Sequence, residues 1–376
     1  MKPTIIRYPI PGNEGGGLLH IYGERKTASN NNINHVILYC GGWPDGVEPF
    51  SHMASRLATS RGGGSSCCNS EEYYQDGCFV GITCWPGFDT ESYRQQQHQQ
   101  QKSLLRGGFK REGYNFYQVS CCIREAAKHL FIEYYRRYHN QQQQHDRSTA
   151  TVDNKYSNMN NNLQTKPQFT VIFHDFGVLP GLMYVNQSIE ENDYPYDNDF
   201  GDERNNNRIL PDRIVLLDVL LEPHGKFKTP HHIMQMSPYT TYELLVYLAY
   251  RGTFACAFAM LRFLHSEVIG LVTLWILYTL VILLGLAPLH PRSQDVKLLN
   301  QRRMDQFHLI YTFYPYYHIF QALLFNRNKK ELVHGCLPLD LVKTPILYLY
   351  GEDKNVVSVL HNYYNTNVGK RYKLLC

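Results

Sequence analysis

The five residues Phe173-His174-Asp175-Phe176-Gly177 constrain this chain more than any other stretch. They follow a short β-branched run, Thr170-Val171-Ile172, and precede an apolar stretch from Leu179 to Val185 that reads as a helix. A strand that turns sharply into a helix, with a small residue two places past the apex, holds one side chain above the carboxyl edge of a parallel sheet. Here that side chain is Asp175. An ionised carboxylate attacks sp³ carbon without first being activated by a base, and water can later hydrolyse the ester it forms. The chemistry expected at such a turn is therefore substitution at a carbon bearing oxygen or halogen, rather than acyl transfer.

Upstream, His35-Val36-Ile37-Leu38-Tyr39-Cys40 reads as a buried strand, and Gly41-Gly42-Trp43-Pro44-Asp45-Gly46 follows it as a turn. A second strand, Cys78-Phe79-Val80-Gly81-Ile82-Thr83, leads into the turn Cys84-Trp85-Pro86-Gly87-Phe88. Between these and the Asp175 turn, Phe116, Val119, Ile123, Ala127, Leu130 and Tyr134 recur at three- and four-residue spacing, the core-facing stripe of a helix. Downstream, Asp212-Arg213-Ile214-Val215-Leu216-Leu217-Asp218 and Thr344-Pro345-Ile346-Leu347-Tyr348-Leu349-Tyr350-Gly351-Glu352-Asp353 read as further core strands with their turns. Strands alternating with helices in this way predict an α/β chain with a mostly parallel sheet.

His-Asp-aromatic-Gly after a strand resembles the nucleophile turn of epoxide hydrolases and haloalkane dehalogenases in the α/β-hydrolase superfamily. The loop after Cys40 resembles their His-Gly-aromatic-Pro loop, and the Pro86-Gly87-Phe88 turn is similar to the one they carry between that loop and the nucleophile. The resemblance implies an α/β-hydrolase fold, a mostly parallel sheet flanked by helices with an inserted apolar helical lid. It makes Asp175 the nucleophile and the backbone N–H groups of Trp43 and Phe176 the oxyanion-hole donors. It makes Asp353 the acid that orients a catalytic imidazole, with Asp218 as the alternative position. It implies no metal and no cofactor. In two places the chain departs from the pattern: Gly41 stands where the superfamily has His, and Phe173 stands where it has a small residue.

The same resemblance implies a histidine on a loop a couple of dozen residues past the acid. Between Asp353 and Cys376 there is only His361, on the helix-like stretch from Val356 to Tyr364, so the expectation is that these residues do not supply the base. His174 is expected to act in strand-end packing rather than in catalysis. Of the many tyrosines between the two last core strands, none is assigned a role.

The 37 basic and 33 acidic residues leave a net charge of +4 with no concentrated basic block, so nucleic acid is not expected as a partner. The ten cysteines include two adjacent pairs but no CxxC spacing, which argues against a zinc site or disulfide framework and fits a reducing compartment. No signal peptide is expected from the pattern of residues 1–12. Low-complexity polar tracts at 94–101, 140–162 and 190–207 bury too little apolar surface to offset their ordering entropy and read as disordered insertions between core elements. The expected organisation is a core in two parts, 1–223 and 336–376, around a lid at 224–335.

Within that lid Val268 to Ala287 is an uncharged apolar run of about 20 residues, long enough to cross a bilayer. Because the strands on either side must share one sheet, a single crossing is impossible. Tyr242 to Leu264, the only partner for a second crossing, carries Glu243, Arg251 and Arg262. A lid in or on a membrane and a lid buried in protein both remain open.

Three functions follow in order of preference. The first is a hydrolase opening a small lipophilic epoxide or a carbon–halogen bond through an alkyl-enzyme ester on Asp175. The second is an inactive scaffold of the same fold that binds a hydrophobic ligand or partner. An esterase or lipase comes third, because the chain contains no Gly-x-Ser-x-Gly.

Overall fold

A computed structural model of the chain describes residues 2–10, 13–23, 33–42, 47–59, 78–86, 113–149, 167–193, 209–217, 238–284, 310–325, 344–349 and 373–375. Its strands are β1 (Thr4–Ile10), β2 (Asn13–Tyr22), β3 (His35–Cys40), β4 (Phe79–Thr83), β5 (Gln168–His174), β6 (Arg213–Leu217), β7 (Ile346–Leu349) and β8 (Lys373–Leu375). They form one sheet in the order β1-β2-β4-β3-β5-β6-β7-β8. β2 pairs antiparallel with both β1 and β4, and every later neighbour pair is parallel. Among the described strands β2 alone thus runs against the rest, and the strands expected from their apolar runs all lie in the parallel part.

Helices cover both faces, as a parallel sheet requires. Along β5 burial alternates with period two, which is why Phe169, Val171 and Phe173 share one face. The register places Val36, Leu38 and Cys40 of β3 beside them. That face packs on α2 (Phe116–Thr149): Phe131 meets Phe169 edge-on at 5.0 Å, and Phe79 lies against Tyr134 and Tyr138. All six residues of the stripe expected on this helix are buried. α3 (Val178–Asp193) lies on the same side, packed against α2. On the opposite face α1 (Glu48–Thr59) sets Phe50 against Tyr39, ring centroids 3.8 Å apart.

The polar tracts are partly structured. α2 runs on to Thr149, well into the glutamine-rich stretch, and α3 to Asp193. Glutamine is a good helix former, so a helix already nucleated by its apolar stripe propagates through such residues. The remainder of those two tracts, and residues 94–101, lie outside the described residues.

Between β6 and β7 the described residues form three helices, α4 (Pro238–Leu264), α5 (Glu267–Leu283) and α6 (Tyr314–Phe325), with a 3₁₀ turn at Ile310–Phe313 before the last. Here the sequence expectation needs a correction. The apolar run does not make a 20-residue helix: Ser266 caps its start and Leu284 its end, leaving 17 residues in α5. At 1.5 Å per residue these span about 25 Å, short of the roughly 30 Å hydrocarbon core. Among the described residues no helix is long and apolar enough to cross a membrane.

Candidate active site

The turn after β5 is where the backbone departs most from ordinary geometry. Asp175 has φ +48°, a left-handed conformation that L-residues adopt at a cost of about 1–2 kcal/mol. His174 is still extended, with φ −118° and ψ 136°, and Val178 is already helical at φ −66° and ψ −42°. The whole reversal from strand to helix therefore falls on Asp175-Phe176-Gly177, a single 3₁₀ turn. Its strain persists because the surroundings enforce it.

Gly177 is the first enforcing contact. A Cβ on it would lie 2.7 Å from the carbonyl oxygen of Gly41 and 3.0 Å from that of Cys40, both backbone atoms that cannot swing aside. The turn thus sits directly against the loop leaving β3. Register supports this placement, since Cys40 pairs with Phe173, Thr83 with Cys40, and Leu217 with His174, so four strands end level around Asp175.

Phe173 is the second. A large residue two places before the apex raised the question of how α3 could approach β5. Phe173 is completely buried, and the position facing it on α3 is Gly181, where a Cβ would sit 2.5–2.6 Å from the Phe173 ring. The bulk on the strand is met by the absence of a side chain on the helix, and the two elements pack closely. Gly181 is a residue the sequence alone did not single out.

The loop after β3 is held from both sides. Gly41 donates its N–H to the carbonyl of Thr83 at 3.4 Å, and its own carbonyl accepts from the indole Nε1 of Trp85 at 2.9 Å. Thr83 is itself fixed by a 2.8 Å hydrogen bond to the Tyr8 hydroxyl. With Gly at position 41 there is no side chain to brace this loop from within. Trp85 braces it from the neighbouring turn. Gly41 and Gly42 are buried, while Trp43 itself lies outside the described residues.

The other expected site residues divide as follows. Asp175 is partly exposed at the carboxyl edge of the sheet, with Phe176 directly after it in the same turn. Asp353, Asp218 and His361 lie outside the described residues. His174 packs its ring edge-on against Phe50 at 5.3 Å, the strand-end packing role expected of it. Cys40, the strand partner of Phe173, is buried, and burial pushes its ionisation far above the ordinary cysteine range, so it offers no competing nucleophile.

The helices between β6 and β7 reach this edge through Tyr314. Its ring lies 5.9 Å from Trp85 and 5.6 Å from Tyr114, and its hydroxyl donates to the carbonyl of Pro86 at 3.2 Å. The chain makes room for it at Gly113, whose φ of +70° and missing Cβ leave the space that the Tyr314 Cβ fills. A continuous path of contact runs from α6 through Tyr314, Trp85 and Gly41 to Gly177 beside the strained aspartate.

Strand order 1-2-4-3-5-6-7-8 with strand 2 reversed, and a left-handed residue between strand 5 and its helix, define the α/β-hydrolase fold. No family model and no curated protein matches the chain. Solved structures it is similar to include a mutant epoxide hydrolase from Solanum tuberosum, at 11% identity and TM-score 0.47 over 100% of this chain and 91% of that one. A haloalkane dehalogenase loop variant from Bradyrhizobium elkanii is similar at 9% identity and TM-score 0.46, covering 100% of this chain and 88% of that one. AqDC, a protein that recognises and ring-cleaves the Pseudomonas quinolone signal, is similar at 9% identity and TM-score 0.44 over 99% and 89% of the two chains. These likenesses assign no residue role here.

Proposed function

We propose that the chain is an Asp-nucleophile hydrolase that opens a lipophilic epoxide or a carbon–halogen bond through an ester on Asp175. The observation that carries this reading is the left-handed φ of +48° at Asp175, at the apex between β5 and α3. Strain at one residue, enforced by Gly177 against the β3 loop, is what holds a carboxylate out of the sheet and ready for attack. The carboxylate oxygen forms a bond to carbon, and the carbon–oxygen or carbon–halogen bond breaks with its electrons on the leaving atom. In the second step water adds to the ester carbonyl, and the tetrahedral adduct collapses by breaking its bond to the substrate oxygen, which releases the alcohol and a proton and restores the Asp175 carboxylate. The N–H groups of Trp43 and Phe176 are the donors proposed for the resulting oxyanion, and Asp353 is the acid proposed to orient a catalytic imidazole, which the residues between Asp353 and Cys376 are not expected to supply.

Two departures that favoured an inactive scaffold have compensations. Gly181 accommodates Phe173, and Trp85 replaces the support lost with Gly at position 41. In this reading α4, α5 and α6 form the lid over Asp175, and the apolar character of α5 suits a lipophilic substrate and contact with a lipid surface.

The test is to incubate the full chain with styrene oxide and with 1-bromodecane and to weigh its peptides. An ester adduct on Asp175, absent in Asp175→Asn, is expected. Adduct at another residue, or turnover that survives the substitution, overturns the reading.

A further inference from the structure

The helices between β6 and β7 are arranged inside out. From Leu248 to Leu284 the charged residues are Arg251, Arg262 and Glu267, and none of them is exposed. Arg251 donates to the Tyr316 hydroxyl and lies 4.8 Å over that ring, Arg262 lies 5.4 Å over the ring of Tyr317, and Glu267 accepts from the Tyr311 hydroxyl. The imidazole of His318 is buried as well. Among the described residues of the same stretch, the exposed side chains are apolar or aromatic apart from Cys256 and His265. A surface helix bathed in water turns its charges outward. Charges turned toward the interior of the bundle are what helices bordered by hydrocarbon show.

α5 carries this pattern furthest. At 3.6 residues per turn its exposed residues run from Tyr278 through Trp275, Val268, Val272 and Ile276 to Leu280, an arc of about 200°. Gly270 and Val281 mark the narrow side that packs on the protein, where Gly270 meets Ala257 and Leu261 of α4. Thr279 lies within the exposed arc, and its hydroxyl returns to the carbonyl of Trp275 at 2.8 Å, so it needs no water. With Phe263, Leu264, Leu283 and Leu284 beyond the two ends, the exposed apolar surface is on the order of 1,000 Å², against about 300–600 Å² for the largest patch on a typical soluble monomer. An apolar stripe of about 100° is enough to seat a helix on one protein neighbour, so a second copy of the chain would leave the flanks of this arc in water. Fluid acyl chains close around all of it.

We infer that α5 seats the protein on a phospholipid bilayer, lying in the membrane plane with Val272, Trp275, Ile276 and Leu283 among the acyl chains of one leaflet. The inference deepens the lipid contact of the reading above and rests on that part of it, but needs nothing of the chemistry at Asp175. His265, at φ +52°, and the Ser266 cap turn α4 directly into α5, and the contact of Gly270 with α4 holds the helix against the protein while its other side faces outward. The attraction is the burial of apolar area, so it requires no anionic headgroup.

The experiment floats the full chain and its Val272→Glu/Ile276→Glu variant with phosphatidylcholine vesicles. Both side chains are about half exposed, at 50% and 48%, so the variant is expected to unfold at the wild-type temperature. The wild-type chain is expected to float in high salt as in low, and the partition coefficient of the variant to fall at least about tenfold. Emission from Trp275, read as the difference between wild type and Trp275→Phe, is expected to be quenched more by lipid brominated near the headgroup than by lipid brominated near the chain ends. A variant that floats like the wild type overturns the inference. So does a wild-type chain that stays in the aqueous phase, whether sedimentation equilibrium finds the face taken by a second copy or another part of the chain shields Trp275 from iodide. Binding that needs anionic lipid and vanishes in salt overturns it too, and quenching strongest from the chain ends overturns the in-plane placement. Styrene oxide labelling of Asp175 in the same preparations reports on the nucleophile alone: its absence overturns that assignment and leaves the membrane seat standing.

Discussion

The turn at Asp175 and the helices α4 to α6 solve opposite problems. Around Asp175, backbone meets backbone: Gly177 touches the carbonyls of Cys40 and Gly41, and Gly181 receives the ring of Phe173. There the strain of one residue is locked in by contacts that cannot relax. In the helical segment side chains meet side chains, through rings such as Phe254 against Phe313 at 4.6 Å and Phe258 against Tyr317 at 5.4 Å. Much of its apolar surface is left uncovered, with Trp275 at 73%, Leu283 at 76% and Val268 at 60% exposure. The first region is built to hold one geometry. The second is built around soft contacts, a buried imidazole and an open apolar face.

The sharpest way to break that contrast is at Gly177. Gly177→Ala places a methyl 2.7 Å from a carbonyl oxygen, and we expect a loss of about 3 kcal/mol or more in urea unfolding together with loss of Asp175 labelling. A variant of wild-type stability would show that the turn and the β3 loop are not in contact.

The helical segment is expected to respond to pH instead. His318 has its ionisation lowered from 6.5 to about 4 by burial and then by Arg262. As pH falls through 6.5 the unfolded imidazole takes up a proton, while the native one stays neutral until about 4. The stabilisation from His318 is therefore complete above pH 6.5 and is lost progressively between 6.5 and 4, to a total of about 3 kcal/mol. His318→Phe should flatten the stability profile in that window alone, which thermal unfolding at half-unit pH steps can check.

The fit of Phe173 on β5 to Gly181 on α3 gives a smaller effect with a clear signature. Gly181→Ala alone should destabilise by about 1–3 kcal/mol, because the new methyl meets the Phe173 ring. Combined with Phe173→Leu, which vacates that space, part of the loss should return. A double-mutant cycle that shows simple additivity would mean the two positions do not share a packing constraint.

The smallest effect on stability is expected on the open face of α5. Trp275→Ser should change unfolding by less than about 0.5 kcal/mol, since the indole is mostly exposed. It should nonetheless weaken association with phosphatidylcholine vesicles, followed in the wild type as a blue shift of tryptophan emission. Emission unaffected by vesicles would remove the lipid-surface part of the proposal.

Much of this was legible in the chain because it is local. Period-two burial along β5, the stripe on α2 and the strand–Asp–helix order are properties of neighbours in sequence, and physics acting over a few residues suffices to express them. Hence the parallel strands, the apex at Asp175 and the packing role of His174 could be read directly. Helix ends were less legible: the polar tract after Tyr138 does not stop α2, and Ser266 and Leu284 shorten the apolar run into a 17-residue helix. Composition reports what a segment can bury, whereas caps and nucleation decide how far a helix goes.

The compensations were not legible at all. That Gly181 makes room for Phe173, that Trp85 holds the carbonyl of Gly41, and that Gly113 receives Tyr314 are pairings across 8, 44 and 201 positions of sequence, and no periodicity relates their members. Nor could the sequence say which of its many aromatic and polar residues would finish with partners. The chain by itself determined the alternation of strand and helix and the one carboxylate at the turn. Only the tertiary structure decided that the turn would keep its strain and that His318 would be buried with neither nitrogen paired among the described residues, because those outcomes depend on which distant atoms are brought within van der Waals reach.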